Sequence, residues 1–167
     1  NIYHSLVGNV LPEGLVRETG ILGYHILPSS SDLAGATVEL VNEARREFRL
    51  HAAVNRLRDA YDFILIDCPP SLGLLTVNGI VAADEVVIPV QCEYYAMEGL
   101  SQLLSTIQQV KQALNPSLNL LGVVVTLYDN RTSLSEQVKS ELERHFGDKL
   151  FSTMIPRNIR LAEAPSF

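Results

Sequence analysis

Short apolar runs alternate along this chain with longer segments in which apolar residues recur every three or four positions. The apolar runs lack a polar face, which is typical of strands covered on both sides in a parallel sheet. They occupy residues 23–30, 62–66, 85–90, 118–128 and 149–155. The amphipathic segments predict helices at residues 33–60 (with a break near 48–50), 74–83, 96–114 and 133–146. We therefore expect an α/β fold, with a mostly parallel sheet flanked by helices.

Capping residues mark the expected ends of two of these helices. Ser31 or Asp32 can accept a hydrogen bond from the first turn of the helix that follows them. Ser133 and Glu136 have the spacing of a capping box at the start of a later helix. Gly147 is expected to end that helix, because glycine tolerates the left-handed conformation of a C-terminal cap.

The sequence contains no internal repeat, low-complexity tract or Pro/Gly-rich linker that would divide it. We expect residues 1–167 to form a single domain with a sizeable core. Apolar residues make up 47% and charged residues 19% of the chain, which is typical of a globular protein. No apolar run approaches the ~20 residues of a membrane span, so we expect no membrane among its partners. Cys68 and Cys92 follow apolar runs and are expected to be reduced thiols at strand ends of a cytoplasmic protein.

Charge is spread unevenly along the chain, whose net charge is −6. Residues 1–110 hold 6 Lys and Arg against 13 Asp and Glu, a net charge of −7. Residues 111–167 hold 7 against 6, a net charge of +1. This balance argues against a protein that coats nucleic acid along its whole surface, and it leaves room for a local basic patch in the C-terminal third.

An aspartate ends the apolar run at residues 62–66, in the stretch "YDFILIDCPPSLG". Asp67 would lie at the carboxyl end of a strand, where open parallel sheets bind their ligands. A carboxylate held there can serve Mg²⁺, which prefers hard oxygen ligands in a tight geometry. Pro69 and Pro70 restrict the path of the chain after it. The alternative is a turn aspartate that accepts backbone hydrogen bonds after the strand.

Longer stretches of the sequence carry a family resemblance. "YDFILIDCPPSLGLLTVNGIVAADEVVIPVQCEYYAMEGLSQL" (61–103) closely resembles the ParA/Soj family of chromosome- and plasmid-partitioning ATPases. The segments "ILPSSSDLAGATVELV" (26–41), "VVVTLYDNRTSLSEQV" (123–138) and "IPRNIRLAEAPSF" (155–167) resemble the same family, in the same order and at similar spacing. The resemblance covers essentially the whole chain.

The resemblance implies a phosphate-loop NTPase fold of the deviant Walker-A type. Such proteins bind ATP with magnesium, dimerise face to face around two nucleotides and hydrolyse ATP slowly. They bind DNA without sequence preference, which places them on the nucleoid in the cytoplasm. A ParB-type centromere-binding protein stimulates their hydrolysis. The resemblance therefore implies ATP and Mg²⁺ as cofactors, and non-specific DNA, a ParB-type protein and a second copy of the chain as partners.

The resemblance also implies roles on the nucleotide side. Asp67 matches the family's Walker B aspartate, a residue of the catalytic site that holds Mg²⁺ through a water. Pro156, Arg157 and Asn158 match the loop that lies against the adenine. Glu93 lies just beyond the end of the run at 85–90 and could face the nucleotide or a dimer partner. The alternative is a carboxylate at a helix N-terminus, where the helix dipole stabilises its charge, and Glu93 is left unassigned.

Two arginines match positions that the family uses on the DNA backbone, Arg131 and Arg160. Both are expected in loops or at helix starts, where a guanidinium can reach phosphates. Arg157 could serve nucleotide or DNA. The alternative for each arginine is a solvated surface charge or a minor ion pair.

Three parts of the family pattern are missing from these 167 residues. They contain no glycine-rich loop with lysines of the "KGGxGKT" kind, no "DxDPQ" segment, and no helix beyond "EAPSF". The chain is therefore expected to be a family member that is incomplete at both ends, without hydrolysis of its own and prone to self-association. The alternatives are a MinD-like ATPase that works at the membrane, and a nucleotide-free scaffold that binds DNA or protein.

Overall fold

The computed structural model describes residues 1–8, 10–69, 71–93 and 96–164, except the side chains of Ala96 and Ala162. Within these ranges the helices are α1 (Ile2–Val7), α2 (Leu33–Glu39), α3 (Arg49–Leu57), α4 (Leu74–Ala82), α5 (Ala96–Ala113), α6 (Ser133–Phe146) and α7 (Ile159–Glu163). The strands are β1 (Arg17–Glu18), β2 (His25–Ile26), β3 (Glu85–Gln91) and β4 (Asn119–Thr126). The chain forms two compact units, Asn1–Ala83 with Val110–Pro116 and Asp84–Gln109 with Ser117–Phe167.

The first unit buries the apolar faces of α1, α2, α3 and α4 against one another. Helix α1 packs on α2 and α3, and α3 packs on α4. Asn1 caps α1, because its side-chain oxygen accepts a hydrogen bond from the backbone N–H of Tyr3 at 3.0 Å. The core consists of aliphatic side chains that are at most 8% exposed: Ile2, Leu6, Ala36, Leu40, Ala53, Val54, Leu57, Ile80, Val81, Ala82 and Val110.

Asn78 on α4 ties this helix to the start of α3. It is 1% exposed, and its side-chain oxygen accepts a hydrogen bond from the backbone N–H of Leu50 at 3.1 Å. Its amide nitrogen donates to the backbone carbonyls of Arg46 and Leu74, both at 3.0 Å. Phe48 stands at the N-cap of α3 and has no group that can cap a helix. Asn78 therefore supplies, from a distant part of the chain, an acceptor for one of the unpaired N–H groups at this helix start.

Asn115 caps the carboxyl end of α4 in a similar way. Its side-chain nitrogen lies 2.8–3.3 Å from three backbone carbonyls, those of Ile80, Val81 and Ala83. The last carbonyls of a helix lack partners within it, so this amide satisfies groups that would otherwise need water. Helix α4 is thus held by one asparagine on the helix and by another that lies far along the chain.

Strands β1 and β2 pair as a short antiparallel hairpin, with Arg17 opposite Ile26 and Glu18 opposite His25. The strand predicted at residues 23–30 is therefore reduced to two residues. The expectation that it is buried is wrong, because both residues of β2 are exposed. A two-stranded hairpin has no neighbouring strands to build a covered sheet.

The strand predicted at residues 62–66 is not formed, which is a second correction. Phe63 and Leu65 are 88% and 89% exposed, and neither described sheet includes this segment. A strand is stabilised by hydrogen bonds to its neighbours and by side chains packed on its faces. Within the described residues this segment has no such neighbour, so Asp67 follows an exposed apolar run instead of a buried strand.

Strands β3 and β4 form a parallel pair in the second unit, from Glu85 opposite Asn119 to Gln91 opposite Thr126. The inward faces of the strands and of the helices of this unit make its core. Its members are at most 7% exposed: Ile88, Val90, Cys92, Leu100, Ile107, Leu118, Val123, Val125, Val138 and Leu142. Parallel pairing of strands that alternate with helices confirms the α/β architecture expected from the sequence.

Helix caps differ in detail from the predicted ones. Thr132 rather than Ser133 caps α6, since the Thr132 side chain accepts a hydrogen bond from the backbone N–H of Ser135. Asp32 stands at the N-cap of α2 without a side-chain capping hydrogen bond. Gly147 follows α6 with a φ of 49°, and this prediction is confirmed.

Residues 149–155 run parallel to β4 but do not form the regular strand that was predicted. They make isolated bridges, between Val123 and Leu150 and, just beyond the segment, between Tyr128 and Pro156. The backbone N–H of Ile155 also donates to the carbonyl of Val125 at 2.8 Å. Because pairing is interrupted between these points, the segment follows β4 without becoming a strand.

The same segment approaches β4 most closely at Gly122. A Cβ atom added there would lie 2.7 Å from Phe151 Cε1 and 2.8 Å from the carbonyl oxygen of Lys149. Real Cβ atoms do not approach other atoms this closely, so the absence of a side chain at Gly122 permits the packing.

The helices predicted at residues 74–83, 96–114 and 133–146 are confirmed, as are the strands at 85–90 and 118–128. The helix predicted at 33–60 is interrupted earlier than expected, between the end of α2 and the start of α3. In the described part of the chain, no helix is both long enough and apolar enough to cross a membrane.

Candidate functional site

Two loops of the second unit meet beyond the carboxyl end of β4, one directly after β4 and one directly before α7. The backbone N–H of Tyr128 donates to the carbonyl of Ile155 at 3.1 Å, and the N–H of Arg157 donates to the carbonyl of Tyr128 at 2.9 Å. Leu127 has a φ of 51°, a conformation that leucine rarely adopts, and it turns the chain out of the strand. Folds of this class bind ligands beyond the carboxyl ends of their strands.

An open cavity of about 450 Å³ lies between these loops. Its lining residues are Tyr128, Asp129, Asn130, Arg131, Pro156, Arg157 and Ile159. Cavities that bind small molecules measure about 300–1,000 Å³, and this volume lies within that range. The structure thus brings Arg131, which the resemblance links to DNA, into one cavity with Pro156 and Arg157, which it links to the nucleotide.

Arg131 is held by a carboxylate of its own loop. Its Nε donates to Oδ1 of Asp129 at 2.9 Å and its Nη2 donates to Oδ2 at 2.8 Å. The backbone N–H of Arg131 also donates to Oδ1, at 3.0 Å. The Arg131 side chain is 83% exposed, whereas that of Asp129 is 18% exposed. The guanidinium therefore reaches solvent, while the carboxylate that binds it lies against the loop.

Hydrogen bonds from Arg131 hold the pKa of Asp129 well below its usual value, at about 2. Asp129 is therefore ionised at neutral pH. Its backbone is fixed as well, since its N–H donates to Ser135 Oγ at 3.3 Å and its carbonyl accepts from Thr132 Oγ1 at 3.0 Å. The start of α6 thus positions the loop that carries the ion pair.

Tyr128 links the same loop to α6 by a second contact. Its hydroxyl donates a hydrogen bond to Oε1 of Glu136. This bond to a carboxylate raises the pKa of Tyr128, so the phenol stays neutral. Glu136, which the sequence suggested as part of a capping box, instead positions one wall of the cavity.

The loop formed by Pro156, Arg157 and Asn158 lies opposite the Tyr128–Arg131 loop. Pro156 forms the parallel bridge to Tyr128. The Arg157 guanidinium lies 3.8 Å from Oε1 of Glu93, and both side chains are more than half exposed. Asn158 caps α7, with its Oδ1 accepting from the backbone N–H of Arg160 at 2.9 Å. In this structure Asn158 therefore serves its own helix, and Glu93, which the sequence left unassigned, faces Arg157.

Arg160 lies in the first turn of α7 and is exposed. Among the described residues no carboxylate pairs with its guanidinium, in contrast to Arg131. The assignment of either arginine to DNA stays a prediction.

Asp67 belongs to the first unit, and its side chain is exposed. Pro69, two residues on, is exposed too, and Pro70 lies outside the described residues. In the described ranges, no group of three or more His, Cys, Asp or Glu side chains is arranged to hold a metal ion by itself. A lone carboxylate can still serve Mg²⁺ together with phosphates and water, so the assignment of Asp67 stays a prediction.

Asp129 is the charged residue of the cavity lining that sequence reasoning missed. The pattern that singled out Asp67, an apolar run that ends on an aspartate, also occurs in "GVVVTLYD", which leads into Asp129. The two-residue spacing to Arg131 is a further signal, since an aspartate can accept from the backbone two residues on.

Comparison with known proteins identifies relatives of this chain. A family model described as an AAA domain matches residues 1–120. The chromosome-partitioning ATPase Soj of Treponema pallidum is 50% identical over 165 residues, and the sporulation initiation inhibitor protein Soj of Bacillus subtilis is 49% identical over 165 residues. Both alignments cover 99% of this chain and 65% of the relative.

Among solved structures, one described as cobyrinic acid a,c-diamide synthase from Mycobacterium smegmatis, with bound ADP and magnesium, superposes with a TM-score of 0.87. It is 41% identical, and the match covers 95% of this chain and 64% of that one. The chain therefore spans slightly less than two thirds of the length of the relatives it matches. The matching sequences span nearly the whole chain, and the fold is also similar. Together these findings show that the chain belongs to the ParA/Soj family of partitioning ATPases.

Proposed function

We propose that this chain carries the base-binding and DNA-facing parts of a DNA-partitioning ATPase. The observation that carries the proposal is the cavity of about 450 Å³ beyond β4, where the Tyr128–Arg131 loop meets the Pro156–Ile159 loop. A flat base and a polyanion both find complementary groups there, namely an apolar proline ring and two guanidinium groups.

The adenine of ATP is the ligand that we place in this cavity. Pro156 and Ile159, which both line the cavity, offer an apolar surface for the base. Arg157 would face the charged part of the nucleotide or DNA. ADP and magnesium are bound in the related synthase structure, which supports the same cofactors for this chain.

Magnesium would be served by Asp67. Its carboxylate is exposed, so an ion or an ion-bound water can reach it. Mg²⁺ takes one or two protein carboxylates and fills its remaining positions with waters and phosphate oxygens, so one carboxylate fits. When bound, the ion would neutralise the nucleotide phosphates. The 167 residues contain no glycine-rich lysine loop, so we propose that they do not turn over ATP without phosphate-binding groups from elsewhere.

Arg131 and Arg160 would contact the DNA backbone. Both are exposed and lie on the second unit, Arg131 before α6 and Arg160 in α7. Phosphate contacts of this kind carry no sequence information, and they weaken as salt rises because binding releases counterions. The proposal therefore predicts non-specific, salt-sensitive binding.

Residues 1–167 would act as part of one ATPase domain that dimerises around nucleotide and responds to a ParB-type centromere-binding protein. Its place would be the cytoplasm, on the nucleoid. Partitioning is favoured over a synthase function because the identity to Soj relatives, 49–50%, exceeds the 41% to the synthase structure. A MinD-like function at the membrane lacks a specific observation in its favour.

Chemical-shift mapping tests the nucleotide site. ADP with Mg²⁺ should shift backbone signals of Tyr128–Arg131 and Arg157–Ile159, and Arg157→Ala should weaken binding. Arg144→Ala is the matched control, since Arg144 on α6 pairs with Glu141 at 2.7 Å and lies outside the cavity. Shifts confined to other regions, or equal losses in both variants, would refute the assignment.

DNA binding is tested with the same control. Arg131→Ala and Arg160→Ala should each weaken binding to a random-sequence duplex by more than Arg144→Ala does, and each should flatten the salt dependence. Binding that all three variants weaken equally, or that does not depend on salt, would rule out the proposed contacts.

A further inference from the structure

Arg131 is paired with the carboxylate of Asp129 on its own loop. We propose that Asp129 competes with DNA phosphate for the Arg131 guanidinium and thereby lowers the affinity of this surface for DNA. The inference rests on the proposed contact between Arg131 and DNA, and it goes further by naming the residue that limits its strength.

Asp129 occupies one full edge of the guanidinium. Contacts from Nε and Nη2 to the two carboxylate oxygens, at 2.9 and 2.8 Å, make the pair bidentate. A guanidinium carries five N–H groups, and this edge uses two of them. A phosphate that approaches from solvent can reach only the remaining N–H groups, on the side away from the carboxylate.

Asp129 has two opposite effects on such a phosphate. The ion pair orders the Arg131 side chain, which favours DNA binding because less side-chain conformational entropy is lost when DNA binds. The carboxylate also cancels the guanidinium charge and repels the phosphate. Ordering is the weaker effect here, because the Arg131 side chain is 83% exposed and exposed ion pairs are weak. Repulsion therefore dominates.

The size of the effect follows from the geometry. A phosphate on the free edge lies on the order of 6 Å from the carboxylate, where the repulsion of unit charges in water corresponds to about a threefold change in affinity. Freeing Arg131 also lets it displace up to about one more counterion from DNA. The slope of log K against log salt should then steepen by at most about 0.9.

Asp129→Asn removes the charge and keeps the loop. The asparagine oxygen can still accept from the backbone N–H of Arg131, which donates to Oδ1 at 3.0 Å. The backbone contacts of this position with Ser135 and Thr132 do not involve its side chain and are retained. A thermal melt and a circular dichroism spectrum check that the fold is unchanged.

The experiment measures binding to a labelled random-sequence duplex by fluorescence anisotropy at several salt concentrations. It compares the unchanged chain with Asp129→Asn, with Arg131→Ala and with the double variant. Glu143→Gln is the control for net charge, since Glu143 lies on α6 and pairs with Lys139 at 3.6 Å.

We expect Asp129→Asn to bind about three- to fivefold more tightly at low salt, to gain more than Glu143→Gln, and to lose the gain when Arg131 is also replaced. Weaker or unchanged binding in Asp129→Asn would overturn the inference. So would a gain that persists in the double variant, or an absence of binding in both the unchanged chain and Asp129→Asn. If Arg131→Ala leaves binding unaffected and Asp129→Asn brings no gain, the proposed DNA contact fails together with the inference. Weaker binding in Arg131→Ala without a gain in Asp129→Asn overturns the inference alone.

Discussion

Replacing Asn78 with alanine should destabilise the first unit more than any surface change. Asn78 makes two hydrogen bonds outside its own helix, from the Leu50 N–H at 3.1 Å and to the Arg46 carbonyl at 3.0 Å. Each is worth about 1 kcal/mol, and the Leu50 N–H left without an acceptor costs about 1–3 kcal/mol more. We therefore expect Asn78→Ala to lower the free energy of unfolding by about 3–5 kcal/mol.

Urea unfolding measures the change, and amide hydrogen exchange locates it. The Leu50 amide should exchange faster in Asn78→Ala, because the substitution removes the Asn78 oxygen that accepts a hydrogen bond from it. Asn55→Ala is the control, since Asn55 is exposed on α3 and its amide contacts only the ring of His51 among the described residues. The control should change stability by less than about 0.5 kcal/mol. A loss below about 1 kcal/mol in Asn78→Ala, or unchanged exchange at Leu50, would show that Asn78 does not hold the start of α3.

Two further predictions concern the second unit. Gly122→Ala would place Cβ 2.7 Å from Phe151 Cε1 and should cost about 1–3 kcal/mol in a thermal melt. Gly99→Ala, on α5 with nothing within 4 Å of its added Cβ, should be neutral or stabilising, and similar losses in both variants would contradict this account. Asp129, whose folded pKa of about 2 lies below its ordinary value, should stabilise the fold above about pH 4 and lose this contribution as the pH falls towards 2. Carboxyl carbon NMR titration should show this pKa rise towards its ordinary value in Arg131→Ala, and a pKa that stays near 2 would rule out the ion pair as its cause.

Local signals in the sequence were sufficient for most helices and for strands β3 and β4. Helix α6 follows from its apolar spacing and from Gly147, and β3 and β4 follow from their aliphatic runs. These elements depend mainly on their own residues and on a nearby core. The family resemblance likewise placed Arg131 and Arg157 near ligands, and the structure brings both to one cavity.

The remaining features depend on contacts between distant parts of the chain. The run at 62–66 has the composition of a strand, but composition cannot supply the neighbours that a strand pairs with. The acceptor for the start of α3 lies 28 residues away, on Asn78. Asp129 escaped notice because its importance lies in a side-chain geometry with Arg131, which a sequence pattern can only suggest.

Asn78 is also a potential site of deamidation in the first unit, because the residue after it is Gly79. In an open chain, the backbone nitrogen of a glycine readily attacks the preceding asparagine side chain. Ammonia leaves, and water then opens the ring to an aspartyl product. Burial and three hydrogen bonds prevent this reaction in the folded unit. Alanine at Gly79 would slow it, yet its Cβ would clash with the sulfur of Cys68. The rate at which Asn78 loses ammonia in stored protein therefore reports how often the first unit opens.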